Sequence, residues 1–117
     1  MADWARPVVH WEIQARDQEK IRSFYEQMFN WKISAGPISL AEAGIGAPEP
    51  SGFTGHILPG DGSRVILDIQ VLDLRASMAK AEELGGSIIA QPFDVPGGPT
   101  IAKIADPEGN HIGLVQQ

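Results

Sequence analysis

Residues 8 to 15, Val-Val-His-Trp-Glu-Ile-Gln-Ala, alternate in character, with Val9, Trp11, Ile13 and Ala15 on one side and His10, Glu12 and Gln14 on the other. A period of two is that of a strand with one apolar face. Asp17 then stands where a helix N-cap is wanted, and Ile21, Phe24, Tyr25, Met28 and Phe29 follow at i, i+3, i+4, i+7 and i+8. That stripe predicts an amphipathic helix lying on the apolar face of the strand. Short strands are expected at Trp31 to Ser34, at Ile38 to Gly44 and from about Phe53 to Leu58, so the first half reads β-α-β-β-β. Residues 36 to 52, rich in Gly and Pro, are expected to form a long loop over a cavity mouth or a frayed strand.

The second half repeats this order. Glu12-Ile13-Gln14-Ala15-Arg16-Asp17 recurs 56 residues later as Asp68-Ile69-Gln70-Val71-Leu72-Asp73. Val65, Leu67, Ile69 and Val71 form one face of a strand, and Ile66, Asp68 and Gln70 the other. Asp73 caps a helix carrying Leu74, Met78, Ala81 and Leu84, and Gly85-Gly86 ends it. Strands follow at Ser87 to Gln91, Thr100 to Ala105 and Asn110 to Val115, separated by a Pro/Gly loop at 92 to 99 and an Asp106-Pro107-Glu108-Gly109 turn. A period near half the chain length implies two copies of one supersecondary unit, about 7–59 and 64–117. The expectation is an α+β chain of one domain over 1–117, with Trp11, Ile13, Phe24, Phe29, Leu67, Ile69, Met78 and Leu84 under the helices.

Composition narrows the function. A chain of 117 residues with 43% hydrophobic and 21% charged residues has the balance of a soluble globular domain. It has no cysteine, so disulfides, thiolate ligands and thiol nucleophiles are excluded, and the absence of a leader pattern points to the cytoplasm. No apolar run reaches the roughly 20 residues a membrane span requires. A net charge of −6, with nine scattered Lys and Arg residues, argues against nucleic acid as a partner.

The candidate chemistry lies on the polar strand faces. His10, Glu12, Gln14, Asp68 and Gln70 face away from the helices by parity, and His111 shares a face with Gly113 on the last strand. One interpretation is a sheet with one wet side. The other is a pocket in which a few polar groups orient a small molecule, with Glu12 and Asp68 as repeat-related carboxylates that burial would tune apart for acid–base work. Trp11 belongs by parity to the core, Trp31 packs at the helix end, and Trp4 is surface, interface or tail. Phe24, Tyr25, Met28 and Phe29 are helical core by spacing. Gly60-Asp61-Gly62 reads as a hairpin turn, since no helix follows it to cradle a phosphate.

Several of these features together resemble the vicinal oxygen chelate superfamily, which includes glyoxalase I, fosfomycin-resistance enzymes, extradiol dioxygenases, methylmalonyl-CoA epimerase and bleomycin-binding proteins. They are the duplicated β-α-β-β-β unit, His10 seven residues before Asp17, Phe24-Tyr25 and Phe29-Asn30-Trp31, Ala81 to Gly86, and the closing Asp106-Pro107-Glu108-Gly109-Asn110 turn. Val9-His10-Trp11-Glu12-Ile13 and Phe-Asn-Trp look most like small bacterial members labelled glyoxalase or bleomycin-resistance-like. The resemblance implies curled mixed sheets around a central cavity and a divalent metal held from four strands. His10 matches the first ligand position, the second falls around Gly55 or His56, and the other two are occupied by Ile66 and Gly113. Two non-ligating residues leave too few nitrogen and oxygen donors for a transition metal.

The expectation is therefore a small-molecule-binding protein with no metal and no cofactor, its ligand held by His10, Glu12, Gln14, Asp68, Gln70 and His111. The alternative is a metal-dependent lyase, isomerase or dioxygenase of the superfamily, with ligands rearranged to His10 and one or more of Asp68, Glu12, His56 or His111. Superfamily members of this length imply a homodimer.

Overall fold

The computed structural model describes residues 5–42, 54–62 and 64–116. Trp4 and most of the expected 36–52 loop lie outside these. Among the described residues there are seven strands and two helices: β1 (Val8–Ala15), α1 (Gln18–Phe29), β2 (Ser39–Ala41), β3 (Gly55–Pro59), β4 (Arg64–Val71), α2 (Leu74–Glu83), β5 (Ser87–Asp94), β6 (Thr100–Ala105) and β7 (His111–Gln116). They gather into two compact units, residues 10–66 and residues 67–116 with the lead-in 5–9.

The duplication is visible in the pairing within each unit. In the first, β1 runs parallel to β3, β3 is antiparallel to β2, and β2 meets Ile33 in an isolated antiparallel bridge to Ala41. In the second, β4 runs parallel to β7, β7 is antiparallel to β6, and β6 is antiparallel to β5. The expected strand at 31–34 is thus reduced to one bridge where its counterpart, β5, is a full strand.

Both helices start as their sequences dictate. Asp17 Oδ1 accepts the Lys20 backbone N–H at 3.1 Å and Asp73 Oδ1 that of Ala76 at 3.0 Å, satisfying amides that a helix start leaves without partners. Asn30 ends α1 in the left-handed conformation, φ 59°. In the closing turn Asp106 Oδ1 accepts the backbone N–H groups of Glu108 and Asn110, and Oδ2 accepts from Asn110 Nδ2, each at 2.9 Å. These contacts hold the Asp106 carboxyl below its ordinary value, the Asn110 side chain contributing most.

Each unit has its own core. In the first, buried Ala15, Ile33, Ala41 and Ile57 pack with Trp11, Ile13, Ile21, Tyr25 and Trp31. Trp11 lies 5.2 Å from Trp31, which stacks on Tyr25 at 5.1 Å and 10°. In the second, Val71, Leu74, Met78, Ala102 and Leu114 pack with Ile88, Ile104 and Ile112.

Four expected core residues are not core. Phe24 and Phe29 are half exposed, as is Met28 of the same stripe, and no residue of α1 is fully buried. The apolar surface facing this helix takes Ile21 and Tyr25, while Phe24 meets Tyr25 edge-on and Phe29 lies tilted beside Tyr25 and Trp31. Leu67 is 47% exposed because α2 packs mainly over β5, β6 and β7 and reaches β4 at its far end, at Val71. Leu84 forms the exposed C-cap of α2. The segment at Gly60–Gly62 is also not a hairpin turn, because β3 takes its partners from β1 and β2 and the chain crosses over to β4.

Candidate functional site

Parallel pairing of β1 and β3 sets Trp11 opposite Gly55, Glu12 opposite His56 and Ile13 opposite Ile57. Directly paired residues point to the same face, so the apolar pairs go to the helix side and Glu12 and His56 share the polar side. Gly55 is required there. A Cβ on it would stand about 1.9 Å from the Trp11 ring, whose indole lies across the strand.

On the polar face four contacts form a continuous chain. Thr54 Oγ1 lies 2.9 Å from His10 Nδ1, His10 Nε2 lies 2.6 Å from His56 Nδ1, and His56 Nε2 lies 3.1 Å from Glu12 Oε1. Gln14 Nε2 donates to Glu12 Oε2 at 2.9 Å. With both rings neutral, every contact has one donor: the Thr54 hydroxyl donates to His10, His10 to His56, and His56 to the Glu12 carboxylate. The imidazoles are stacked with centroids 4.9 Å apart. Burial deepens along the chain from exposed Thr54 to Glu12, which is 3% exposed. Burial pushes the His10 imidazole below its ordinary value, the neighbouring His56 ring adds to the fall, and Glu12 opposes it.

Three of the six expected residues, His10, Glu12 and Gln14, are therefore joined in the first unit. The other three, Asp68, Gln70 and His111, belong to the second. Asp68 is paired with Gly113, Gln70 with Val115, and His111 with Ala105. Asp68 is 7% exposed, and a Cβ on Gly113 would stand 1.9 Å from its Oδ1. A carboxylate from β4 therefore fills the space in which a side chain on β7 would begin. Two members of the polar chain lay outside the expected set. The sequence marks His56 only as a candidate metal ligand and gives no signal for Thr54 beyond its shared strand parity with His56.

A sequence model of the glyoxalase-like domain matches residues 10–115. The chain belongs to this family. Solved structures share its α+β fold. A hypothetical protein from Bacillus halodurans is similar at 13% identity, TM-score 0.67, over 97% of this chain and 96% of that one. Methylmalonyl-CoA epimerase in complex with methylmalonyl-CoA and ammonium is similar at 16% identity, TM-score 0.64, over 96% and 94%. The epimerase from Mycobacterium tuberculosis follows at 17%, TM-score 0.62, over 93% and 86%. At these identities the likeness is one of fold. Among curated proteins no sequence match was found.

The residues of this glyoxalase-like chain do not fit the four-ligand metal arrangement implied by the superfamily. Ile66 is apolar and fully buried, and the side-chain space of Gly113 is taken by Asp68. The facing nitrogens of His10 and His56, at 2.6 Å, are closer than the ~3.3 Å that separates two nitrogen ligands bound tetrahedrally at about 2.0–2.1 Å. Among the described residues no three His, Asp or Glu side chains are grouped to hold an ion.

Proposed function

We propose that the protein is a glyoxalase-like small-molecule-binding protein that takes its ligand on the polar face of β1 and β3 without the superfamily's four-ligand metal set. The observation that carries this reading is the Thr54–His10–His56–Glu12–Gln14 chain. Polar side chains are costly to bury unless each is paired, and here the buried end is satisfied internally while the Thr54–His10 end is open to solvent. A ligand carbonyl or hydroxyl would exchange with Thr54 for His10 Nδ1, with the rest of the chain fixing the ring. Asp68, Gln70 and His111 are proposed as ligand contacts on the second unit's own polar strand face.

The test is a nuclear magnetic resonance screen with acyl thioesters, 2-hydroxy and 2-oxo acids, and planar aromatic antibiotics. A specific ligand is expected to shift the His10, Thr54 and His56 resonances and to bind at least about tenfold more weakly to His10→Ala. Binding that avoids these residues overturns the reading. Elemental analysis is expected to find no stoichiometric Zn, Ni, Mn or Fe. About one ion per chain, lost in His10→Ala, would contradict it.

A second reading is an acid–base enzyme of the superfamily, a lyase or epimerase. It is favoured by a His10 imidazole that burial holds neutral, hydrogen-bonded through His56 to a carboxylate. Solvent deuterium entering the α-carbon of an acyl thioester in the presence of EDTA would select it over simple binding.

We also propose that the protein is a cytoplasmic homodimer. The half-exposed Phe24, Met28 and Phe29 on α1 support association, and a chain without cysteine suits a reducing compartment. Light scattering should give about twice the chain mass of 12.6 kDa. No helix among the described residues is long and apolar enough to cross a membrane.

A further inference from the structure

A concavity lies on the first unit, between the C-terminal end of β1, the first half of α1 and the crossover from β3 to the start of β4. Its volume is about 420 Å³, within the usual range for small-ligand pockets. One wall is apolar, made by Ile13, Ile21, Tyr25 and Val65. The other carries Arg16, Lys20 and Arg64, one third of the nine Lys and Arg residues of a chain with net charge −6. A solvated surface would disperse these cations among the more numerous carboxylates, but here they border one cavity.

Opposing charge is scarce. Asp17 is the single carboxylate lining the cavity, and its Oδ1 is engaged by the Lys20 backbone N–H at the helix start. Among the described residues Arg16, Lys20 and Arg64 form no ion pair. Arg16 is fixed by its surroundings. Its Nε donates to the Asp61 carbonyl, and Gly62, at φ +86°, passes so close that a Cβ would stand 3.0 Å from Arg16 Cγ and Nε. The crossover is thus shaped around the guanidinium stem. Three positive charges gathered beside one apolar wall attract an anion more strongly than the same charges dispersed over the surface.

We propose that this cavity binds a small organic anion, its negatively charged head on Arg16, Lys20 and Arg64 and its apolar body against Ile13, Ile21, Tyr25 and Val65. The shared requirement is a compact carboxylate or phosphate head on a hydrocarbon or aromatic chain. The site is independent of the His10 chain, touching it only at Gln14, which lines the cavity and donates to Glu12.

Isothermal titration and heteronuclear NMR on the full chain provide the test, with hexanoate and hexyl phosphate as probes and hexanol and hexylammonium as controls. Saturable binding of either anion, with shifts centred on residues 13–25 and 60–65 and not on His56, is expected; the tighter arm identifies the head group. Lys20→Gln and Arg64→Gln should each weaken it about tenfold, the loss expected for one charge-assisted contact. Should a variant fail to fold, the unmodified chain still decides: its affinity for the anion should fall several-fold between low and physiological salt. Hexanol or hexylammonium binding as tightly as the anions, affinity insensitive to both salt and charge removal, or no saturation up to about 10 mM would overturn the proposal.

Discussion

Gly113→Ala should cost this protein about 2 kcal/mol, and the cost should vanish when Asp68 is also replaced. The added Cβ would sit 1.9 Å from Asp68 Oδ1 and 2.9 Å from its Cγ but 3.6 Å from the Asp68 Cα, so the backbone accommodates it and the carboxyl does not. Moving both atoms to contact distance requires a new χ1 for a side chain that is only 7% exposed. Displacing a buried, partnered carboxylate costs about 1.5–3 kcal/mol. Replacing a glycine recovers about 0.4–1 kcal/mol through the unfolded chain, because Gly113 is not in a left-handed conformation. The balance is a loss near 2 kcal/mol. For 117 residues, with an unfolding entropy of about 2.1 cal/mol/K each, it corresponds to a Tm lower by roughly 8 °C. Urea and thermal unfolding of the four members of an Asp68→Ala, Gly113→Ala cycle measure it. In the Asp68→Ala background the second substitution should be neutral or slightly stabilising. An equal cost in both backgrounds would refute the claim that the carboxylate occupies the space of a residue-113 side chain.

Three further outcomes are expected. Gly55→Ala should displace the Trp11 indole from its place beside Trp31 and Tyr25, costing about 3 kcal/mol and shifting tryptophan emission; Trp11→Val in the same chain should restore much of the loss. Asp17→Ala and Asp73→Ala should each cost about 1 kcal/mol in urea unfolding, in keeping with loss of one helix cap. Because His10 is held below its ordinary value of 6.5, the unfolded chain takes up the proton first. Its contribution to stability is therefore complete above about pH 6.5 and falls as the pH drops from there through the folded value. His10→Gln should flatten that part of the urea-midpoint profile, and an unchanged slope would show that His10 does not carry it.

The features that depend on near neighbours were legible in the chain. Both aspartate caps, the alternation of β1, the span of β6 and the Asp106 turn arise from contacts within a few residues, and the 56-residue repeat announced two units whose strand pairings proved alike. Strand parity also separated His10, Glu12 and Gln14 from Trp11 and Ile13, because the pleat leaves each side chain only two directions. What parity does not carry is register between strands distant in sequence. Only the parallel pairing of β1 with β3 brought His56 and Thr54, more than 40 positions away, onto His10 and Glu12. Tertiary packing likewise decided which part of an apolar stripe is covered: Tyr25 and Ile21 find partners, while Phe24, Met28, Leu67 and Leu84 remain exposed. It decided as well that Asp68 fills the space beside Gly113. A sequence specifies the faces each element offers, but burial and contact depend on the area and shape of what packs against them, which exist only once the chain has folded.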